Sequence, residues 1–310
     1  MYKNQTSITE ISLLGFQNLH NFRIPLFTLF LFMLILTVCE NVLIIVLVST
    51  NQNLQTPMYF FLQQLSISDL VVTGNIVPIM LQTVINKVAT MSLVGCMTQL
   101  YIFGSLETFQ CLLLTIMSVD RYLAICNPLR YSSIMNHRVC FTSIFLSWIT
   151  GLLIILMLIS NIGKLQFCKH NTIDHFLCDL DPLLELSCSD TSLVKMEVFL
   201  ESIPLAFLPL TIITVSYVNI VNSVLKIKSS TGRQKAFSTC SSHLAVVSIF
   251  YGTLISLYVI GPGKDKINIT HFLSSLNTVV VPFVNPIIYS LRNKDIKEAL
   301  RKLFVKSSLI

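Results

Sequence analysis

The sequence predicts an all-α membrane protein, a seven-transmembrane helix bundle followed by a short amphipathic helix. The first observation is composition: of 310 residues, 53% are hydrophobic and only 12% are charged, and the mean hydropathy is +0.74. A typical soluble domain carries about 25% charged residues. The second observation is that the apolar residues form seven runs, each near or above the ~20 residues with which a helix crosses a bilayer. Because a helix satisfies its own backbone hydrogen bonds in hydrocarbon, each run is predicted to be a helix.

The runs set the predicted boundaries of the bundle. They are residues 24–49, 58–80, 96–119, 139–162, 196–225, 236–260 and 270–291. No long linker or internal repeat interrupts them, so a single domain over residues 1–310 is expected. It divides into an amino-terminal segment, a helix bundle and a tail, at residues 1–23, 24–291 and 292–310.

The tail is predicted to form the amphipathic helix. Its apolar residues recur at helical spacing, and basic residues occupy most of the remaining positions. The apolar positions are Ile296, Leu300, Leu303 and Phe304. A helix of this kind lies on the membrane surface rather than across it.

The lysines and arginines predict the orientation. Thirteen of the 21 lie in the segments after runs one, three, five and seven, and eight lie in the others. Cytoplasmic loops carry the excess of positive charge, so we expect the amino terminus outside and the carboxyl terminus inside the plasma membrane. The Asn-x-Thr triplets at Asn4 and Asn268 then lie outside, where they are candidate glycosylation sites.

The nine cysteines fall into two groups, and no two of them form a Cys-x-x-Cys pair. Five lie in or at the ends of apolar runs and are predicted to be reduced packing residues: Cys39, Cys111, Cys126, Cys140 and Cys240. Four lie in segments between runs, where an oxidising exterior allows disulfides: Cys96, Cys168, Cys178 and Cys188. The sequence alone does not determine their connectivity.

Charged and polar residues inside the runs are candidate functional groups. Arg121 follows Asp120 at the end of run three, where an arginine needs a carboxylate partner or access to water. Asp69 is the only charge in run two, so it needs polar partners, and Asn41 and Asn285 are candidates. Pro286 removes a backbone hydrogen bond and is expected to bend run seven.

Several blocks of sequence resemble the odorant receptors, a branch of the rhodopsin-like G-protein-coupled receptors. Asp120-Arg121-Tyr122 is a short match, but its surroundings and the other blocks are specific. The blocks are residues 57–62 (PMYFFL), 117–131 (MSVDRYLAICNPLRY), 216–217 (SY), 235–244 (KAFSTCSSHL) and 282–293 (PFVNPIIYSLRN). Together they cover the chain from about residue 13 to residue 303.

The resemblance implies roles for these residues. It implies a disulfide between Cys96 and Cys178, which leaves Cys168 and Cys188 to pair. The implied G-protein switch consists of Asp120, Arg121, Tyr122, Tyr217 and Tyr289, and the implied polar activation cluster of Asn41, Asp69, Asn285 and Pro286. In this family a glutamate normally stands at the position of Gln110, whereas here the acid lies one turn away at Glu107.

A ligand cavity is expected between the outer halves of runs three, five, six and seven, below the lid formed by residues 163–195. The candidate lining residues are Phe103, Gly104, Glu107, Thr108, Glu201, Ser202, Leu205, Tyr251, Leu254, Ile255, Tyr258 and Thr278. Most are apolar or hydroxylated, which favours a small, mostly hydrocarbon ligand with one polar group. If Glu107 and Glu201 both face the cavity, an amine is the alternative ligand.

Three other classes of function are less compatible with the sequence. A retinal protein needs a lysine in run seven for a Schiff base, and residues 270–291 contain none. A transporter or channel is expected to show a string of intramembrane charges or paired broken helices, and neither is evident. An enzymatic metal site could be drawn from Cys168, His170, His175 and Cys178, but disulfides explain the cysteines more simply, so no metal, cofactor or catalytic residue is predicted.

The partners implied by the resemblance are a small organic odorant and an olfactory-type stimulatory G protein, which raises cyclic AMP. Membrane lipid surrounds the bundle, and the need for receptor-transport chaperones stays open. Nucleic acid is not expected, because the basic residues lie between apolar runs rather than in one patch with interleaved aromatic residues.

Overall fold

A computed structural model describes residues 8–17, 22–260, 267–292 and 294–307 of the chain. It confirms the predicted fold class: seven apolar segments long enough to span a membrane form one bundle. The helices are α1 (Arg23–Thr50), α2 (Pro57–Asn86), α3 (Leu93–Cys126), α4 (Pro128–Ile134), α5 (His137–Ile162), α6 (Leu180–Glu185), α7 (Ser192–Leu225), α8 (Ser230–Ile260), α9 (Ile267–Ser275), α10 (Val281–Arg292) and α11 (Lys294–Ser307).

The seven spans are α1, α2, α3, α5, α7, α8 and a composite seventh span. In the seventh span a π-helical turn, Leu276–Val280, joins α9 to α10. Such turns carry one extra residue per turn and often occur at functional sites. A short 3₁₀ turn, Gln52–Leu54, connects α1 to α2.

Local sequence signals set where several helices begin. Pro57 occupies the first turn of α2, where its missing N–H costs no hydrogen bond. The Ser92 hydroxyl accepts from the Gly95 N–H at 3.0 Å and caps α3, and the Asn136 side chain caps α5 in the same way. The capping residues lie outside the apolar runs, so several helices are longer than the runs that predicted them. Helix α3, for example, ends at Cys126 rather than at Val119.

The bundle is apolar outside and partly polar inside. Phe199 and Phe207 on α7 are 62% and 65% exposed, whereas Asn41 and Asp69 are fully buried at 0%. A soluble protein shows the opposite distribution, because water solvates its exposed polar groups. Helix α3 lies at the centre and packs against α2, α5 and α7.

A small β-sheet, which the sequence analysis did not predict, covers one end of the bundle. Strand β1 (Glu10–Leu13) lies between β2 (Ala89–Ser92), to which it is antiparallel, and β3 (Thr172–Ile173), to which it is parallel. Ile11 and Leu13 of β1 are completely buried. The sheet therefore joins the amino-terminal segment to two loops that are far apart in sequence.

Helix α11 is the predicted amphipathic tail helix. Its Ile296 and Ala299 are buried at 1% and 4% exposure, and Leu300 packs against the same core. The side chains of Leu303 and Phe304 lie outside the described residues. The Tyr59 hydroxyl donates to an Asp295 carboxylate oxygen at 2.9 Å, which fixes the start of α11 to α2.

Helices α3 and α5 approach most closely at Gly151. A Cβ atom at this position would lie 2.6 Å from the backbone oxygen of Ser105, whereas a Cβ at Gly74 would meet nothing within 4 Å. The glycine is therefore required by the packing of two spans rather than by backbone conformation.

We predict that Gly151→Ala destabilises the protein by about 1–3 kcal/mol, because α5 must move away from α3. Gly74→Ala is the matched control, and its effect should be neutral or stabilising by up to ~1 kcal/mol. Thermal unfolding of the purified protein in detergent measures both. Equal midpoints for the two variants would contradict the close approach.

Candidate functional site

The two ends of the bundle carry different chemistry. The disulfide end holds the Cys96–Cys178 and Cys168–Cys188 bonds, and the Arg121 end holds Asp120 and Arg121. At the disulfide end, α3, α8, the seventh span and residues 163–191 enclose a cavity of about 680 Å³. This volume lies within the range of small-molecule sites, roughly 300–1,000 Å³.

Residues 163–191 form a lid over this cavity. One disulfide joins the lid to the start of α3, and the other closes a loop within the lid. The Gln99 side-chain oxygen accepts from the Cys178 N–H at 2.9 Å, while its amide donates to the Asn75 carbonyl at 2.9 Å. The lid is thus held to both α3 and α2 by covalent and hydrogen bonds.

The inner wall of the cavity is mixed in character. Phe103 and Leu254 supply apolar surface, and Glu107, Asn277 and Thr278 supply polar groups. The Asn277 amide donates to a Glu107 carboxylate oxygen, and the Asn277 oxygen accepts from the Thr253 hydroxyl at 3.3 Å. The Glu107 carboxylate therefore already has a hydrogen-bond partner within the bundle.

His175 lies where the lid meets the seventh span. It lines the cavity but is only 2% exposed, and its ring centroid is 4.6 Å from that of Phe176 and 4.7 Å from that of His271. Burial, with a smaller contribution from His271, lowers the pKa of His175 to about 3, so the ring is neutral at physiological pH. The Leu177 N–H donates to Nδ1 at 3.3 Å, and Nε2 has no hydrogen-bond partner among the described residues.

Acidic residues of the lid also line the cavity: Asp174, Asp179, Asp181 and Glu185. Burial raises the pKa of Asp179, whose side chain caps α6 by accepting from the Leu180 N–H at 2.8 Å. Among the described lining residues there is no lysine or arginine. Within the same part of the chain, no group of three histidine, cysteine or acidic residues is placed to hold a metal ion.

A polar cluster lies in the middle of the bundle around Asp69. One Asp69 oxygen accepts from Gln110 and the other from Asn285, both at 3.0 Å. Gln110 also donates to the Ser68 hydroxyl at 3.0 Å. The cluster therefore joins α2, α3 and α10 through one carboxylate.

At the Arg121 end, Asp120 and Arg121 form an ion pair. The Tyr131 hydroxyl, from α4, donates to the other Asp120 oxygen at 2.7 Å. On the facing helices, the Tyr217 hydroxyl is hydrogen-bonded to His243 Nδ1 and to the Cys240 carbonyl. Among the described residues, the Tyr131 hydrogen bond joins α3 to α4 and the Tyr217 hydrogen bonds join α7 to α8.

Comparison with known proteins identifies the family. The sequence model of the olfactory receptor family matches residues 30–307. The chain belongs to the olfactory receptor family. It is 44% identical to human olfactory receptor 11L1, with 97% of this chain and 94% of that protein covered. It is also 42% identical to mouse olfactory receptor 1E16, with 99% and 98% covered.

Family membership decides the general function. The protein is an odorant-sensing G-protein-coupled receptor, a multi-pass membrane protein and not an enzyme. The resemblance inferred from the sequence is confirmed.

Four of the predicted ligand residues line the receptor's cavity: Phe103, Glu107, Leu254 and Thr278. Others predicted from runs three and six are not among the described residues that line it, and their role in ligand binding stays a prediction. Gly104 faces α5, since a Cβ there would lie 3.2 Å from Ile155. Thr108 is buried in the helix packing, and Ile255 is 45% exposed on the outer surface. Tyr251 lines a separate groove between α7 and α8.

The predicted residues of run five, Glu201, Ser202 and Leu205, also lie away from the cavity. Helix α7 contributes only Val198 to the described lining, and the Ser202 hydroxyl donates to the Phe199 carbonyl of its own helix at 3.2 Å. Run five is strongly hydrophobic and its amphipathic pattern is weak, so its sequence does not indicate which face turns inward. The side chain of Tyr258 lies outside the described residues, as do Asn4 and the side chain of Asn268.

One expected contact of the polar cluster differs in the structure. Asn41 does not reach Asp69, because its amide donates to the Thr37 and Pro282 carbonyls at 2.9 and 3.2 Å. Tyr289 is buried at 1% exposure, and its hydroxyl has no hydrogen-bond partner among the described residues. Tyr122 packs at the edge of the hydrophobic core.

Sequence reasoning missed several residues of the receptor's sites. Asn277 and Gln110 were not assigned roles. His175 was considered only as part of a metal site in the loop, and that site was not predicted. One available signal was the concentration of acids and histidines between Cys168 and Cys188. A loop this rich in titratable groups is unusual for a simple connection.

We predict that Gln110→Leu lowers receptor stability by about 1–3 kcal/mol, because one Asp69 oxygen loses its buried donor. The exposed residue Gln82 on α2 provides the control, and Gln82→Leu should change stability by less than ~0.5 kcal/mol. Thermal unfolding of the two purified variants makes the comparison. A Gln110→Leu receptor as stable as the control variant would show that the Asp69 hydrogen bond is unimportant.

Proposed function

We propose that the receptor binds a small, mostly apolar organic odorant in the cavity and then activates a stimulatory heterotrimeric G protein at the Arg121 end. The observation that carries this proposal is the lid-covered cavity of about 680 Å³, whose lining combines apolar side chains such as Phe103, Leu254 and Leu257 with polar ones. Such a site can bury the apolar part of a small ligand and orient it through polar contacts.

The proposed orientation places the amino terminus and the lid outside the plasma membrane and α11 inside. Thirteen of the 21 lysines and arginines then lie on the cytoplasmic side. The two disulfides supply independent support, because both lie at the end that would face an oxidising exterior. The apolar outer surface of the spans contacts membrane lipid.

The Asp120–Arg121 pair is proposed to hold the resting state. Activation moves α8 outward and frees Arg121 to contact Tyr217, Tyr289 and the carboxyl end of the G-protein α subunit. The hydrogen bonds from Tyr217 to His243 and Cys240 on α8 must break during this movement. An odorant drives it by binding the active packing more tightly, and a difference of a few kcal/mol is sufficient.

The Asp69 cluster is proposed to couple the two ends. It joins α2 and α3 to α10 next to Pro286, where the helix has lost a backbone hydrogen bond. Asn277 and Thr278 of the same span line the cavity. A ligand that displaces the upper part of this span can therefore change the cluster below it.

Two neighbouring residues on α8 test the ligand site. Leu254 lines the cavity at 9% exposure, whereas Ile255 is 45% exposed on the outer surface. We predict that Leu254→Trp raises the half-maximal concentration of an activating odorant about tenfold, because the larger ring occupies ligand space at a cost of ~1.4 kcal/mol. Ile255→Trp should leave the half-maximal concentration within about twofold of the wild-type value. Dose–response curves at matched surface expression provide the measurement, and equal shifts for both variants would place the ligand elsewhere.

A cyclic AMP assay with a chemically diverse odorant panel tests the coupling. We predict that wild-type receptor raises cyclic AMP and that Arg121→Ala reduces the maximal response at least about tenfold, because the switch arginine is lost. Arg138 is an exposed arginine at the same end, so Arg138→Ala serves as the control and should retain the response. A calcium signal without cyclic AMP would reject the stimulatory class of G protein.

A further inference from the structure

The unpartnered nitrogen of His175 is the one feature of the described cavity wall that points to a particular ligand chemistry. Nδ1 of this ring accepts a hydrogen bond from the Leu177 backbone N–H. In a neutral imidazole the other nitrogen then carries the proton. Nε2–H is therefore a hydrogen-bond donor, and it is buried without an acceptor among the described residues.

A buried donor without an acceptor lowers the stability of the folded protein. Native proteins therefore rarely contain one unless a ligand or water accepts its hydrogen bond. His175 cannot easily turn away from the cavity. Its ring lies against Phe176 and His271, and Phe176 in turn stacks on Phe16 at a centroid distance of 5.3 Å. The His271 Nε2 donates to the Asp174 carbonyl at 3.0 Å, so that neighbouring ring is fixed as well.

The other polar groups of the cavity limit the charge of the ligand. Asp174, Asp181 and Glu185 are exposed acids that line the cavity, and no described lining residue is a lysine or arginine. A carboxylate ligand would meet like charges there. The same acids would attract an ammonium group, but an ammonium has no lone pair and cannot supply the acceptor that His175 Nε2–H lacks.

We propose that His175 Nε2–H donates the hydrogen bond that recognises the odorant, and that the preferred ligands are neutral aldehydes, ketones or esters on an apolar chain. This inference rests on the proposed odorant-binding role of the cavity. The carbonyl oxygen supplies the missing acceptor, and the chain contacts apolar surface such as Phe103 and Leu254. His175 would thereby determine the preference of the receptor for ligands with a carbonyl group.

The experiment uses homologous series from butyl to dodecyl chains that end in an aldehyde, methyl ketone, methyl ester, amine or carboxylate. Each methyl ketone is paired with its methylidene isostere, in which a CH₂ group replaces the carbonyl oxygen. Cyclic AMP responses and thermal stabilisation of purified receptor are both recorded. On wild-type receptor, carbonyl compounds should be the most potent class, and the ketone should exceed its isostere about tenfold, equivalent to ~1.4 kcal/mol.

The variants His175→Phe and His175→Gln separate recognition from folding. Phenylalanine keeps a planar ring but has no donor, so the ketone-to-isostere potency ratio should fall from about ten to about one. Glutamine keeps both a donor and an acceptor and should restore most of the ratio. Damage to the lid alone would weaken ketone and isostere together and leave the ratio unchanged. The wild-type comparison of ketone and isostere needs no variant and stands even if His175→Phe does not reach the surface.

The outcomes distinguish this inference from the proposed function. Strong cyclic AMP responses to amines or carboxylates, or a ketone-to-isostere ratio unaffected by His175→Phe, would overturn the role of His175 and leave an odorant receptor in place. Stabilisation by ketones that depends on His175, without cyclic AMP, would support the role and reject the proposed coupling. If no compound produces either signal, the ligand cavity and the role of His175 are both rejected.

Discussion

The need to pair polar groups inside a membrane-spanning bundle is the constraint on which the rest of this structure depends. A polar group placed there needs a protein partner, since hydrocarbon offers none. Asp69 satisfies this requirement with amide donors from Gln110 and Asn285, and the side-chain NH₂ group of Asn41 donates to the Thr37 and Pro282 carbonyls. These hydrogen bonds specify which spans are neighbours, because apolar contacts alone would be nearly as favourable with lipid. The polar groups therefore contribute structural specificity as well as a candidate mechanism.

The lid applies a second constraint at the disulfide end. Two disulfides, the short sheet and the Gln99 contacts hold residues 163–191 over the cavity. A rigid lid reduces the conformational entropy that a ligand must overcome on binding. It also brings His175 and several acids to a cavity whose helical wall is mixed in character. In the proposed function, the lid therefore takes part in ligand selection together with the helices.

Composition and periodicity were sufficient to predict the seven spans and the tail helix. They were not sufficient to predict which face of each helix points inward. Helix α7 has only a weak amphipathic pattern, so the sequence did not show whether Glu201, Ser202 and Leu205 face the interior of the bundle. Asn277 was missed although its neighbour Thr278 was assigned, because the π-helical turn that contains both places two successive residues in the cavity wall, which ordinary helical spacing does not predict. The sheet was missed because strands of four, four and two residues are too short to show an alternating pattern.

The central claim is that occupancy of the cavity opens the Arg121 end, and a distance measurement between α4 and α8 tests it most directly. Ser133 and Gln234 are both exposed. Spin labels attached at Ser133→Cys and Gln234→Cys report this separation by pulsed electron–electron double resonance. The accessible cysteines Cys39 and Cys126 are first replaced by serine. An odorant that raises cyclic AMP should add a population with a longer distance, and Leu254→Trp should reduce that population at the same odorant concentration. A distance distribution that the activating odorant leaves unchanged would contradict the account.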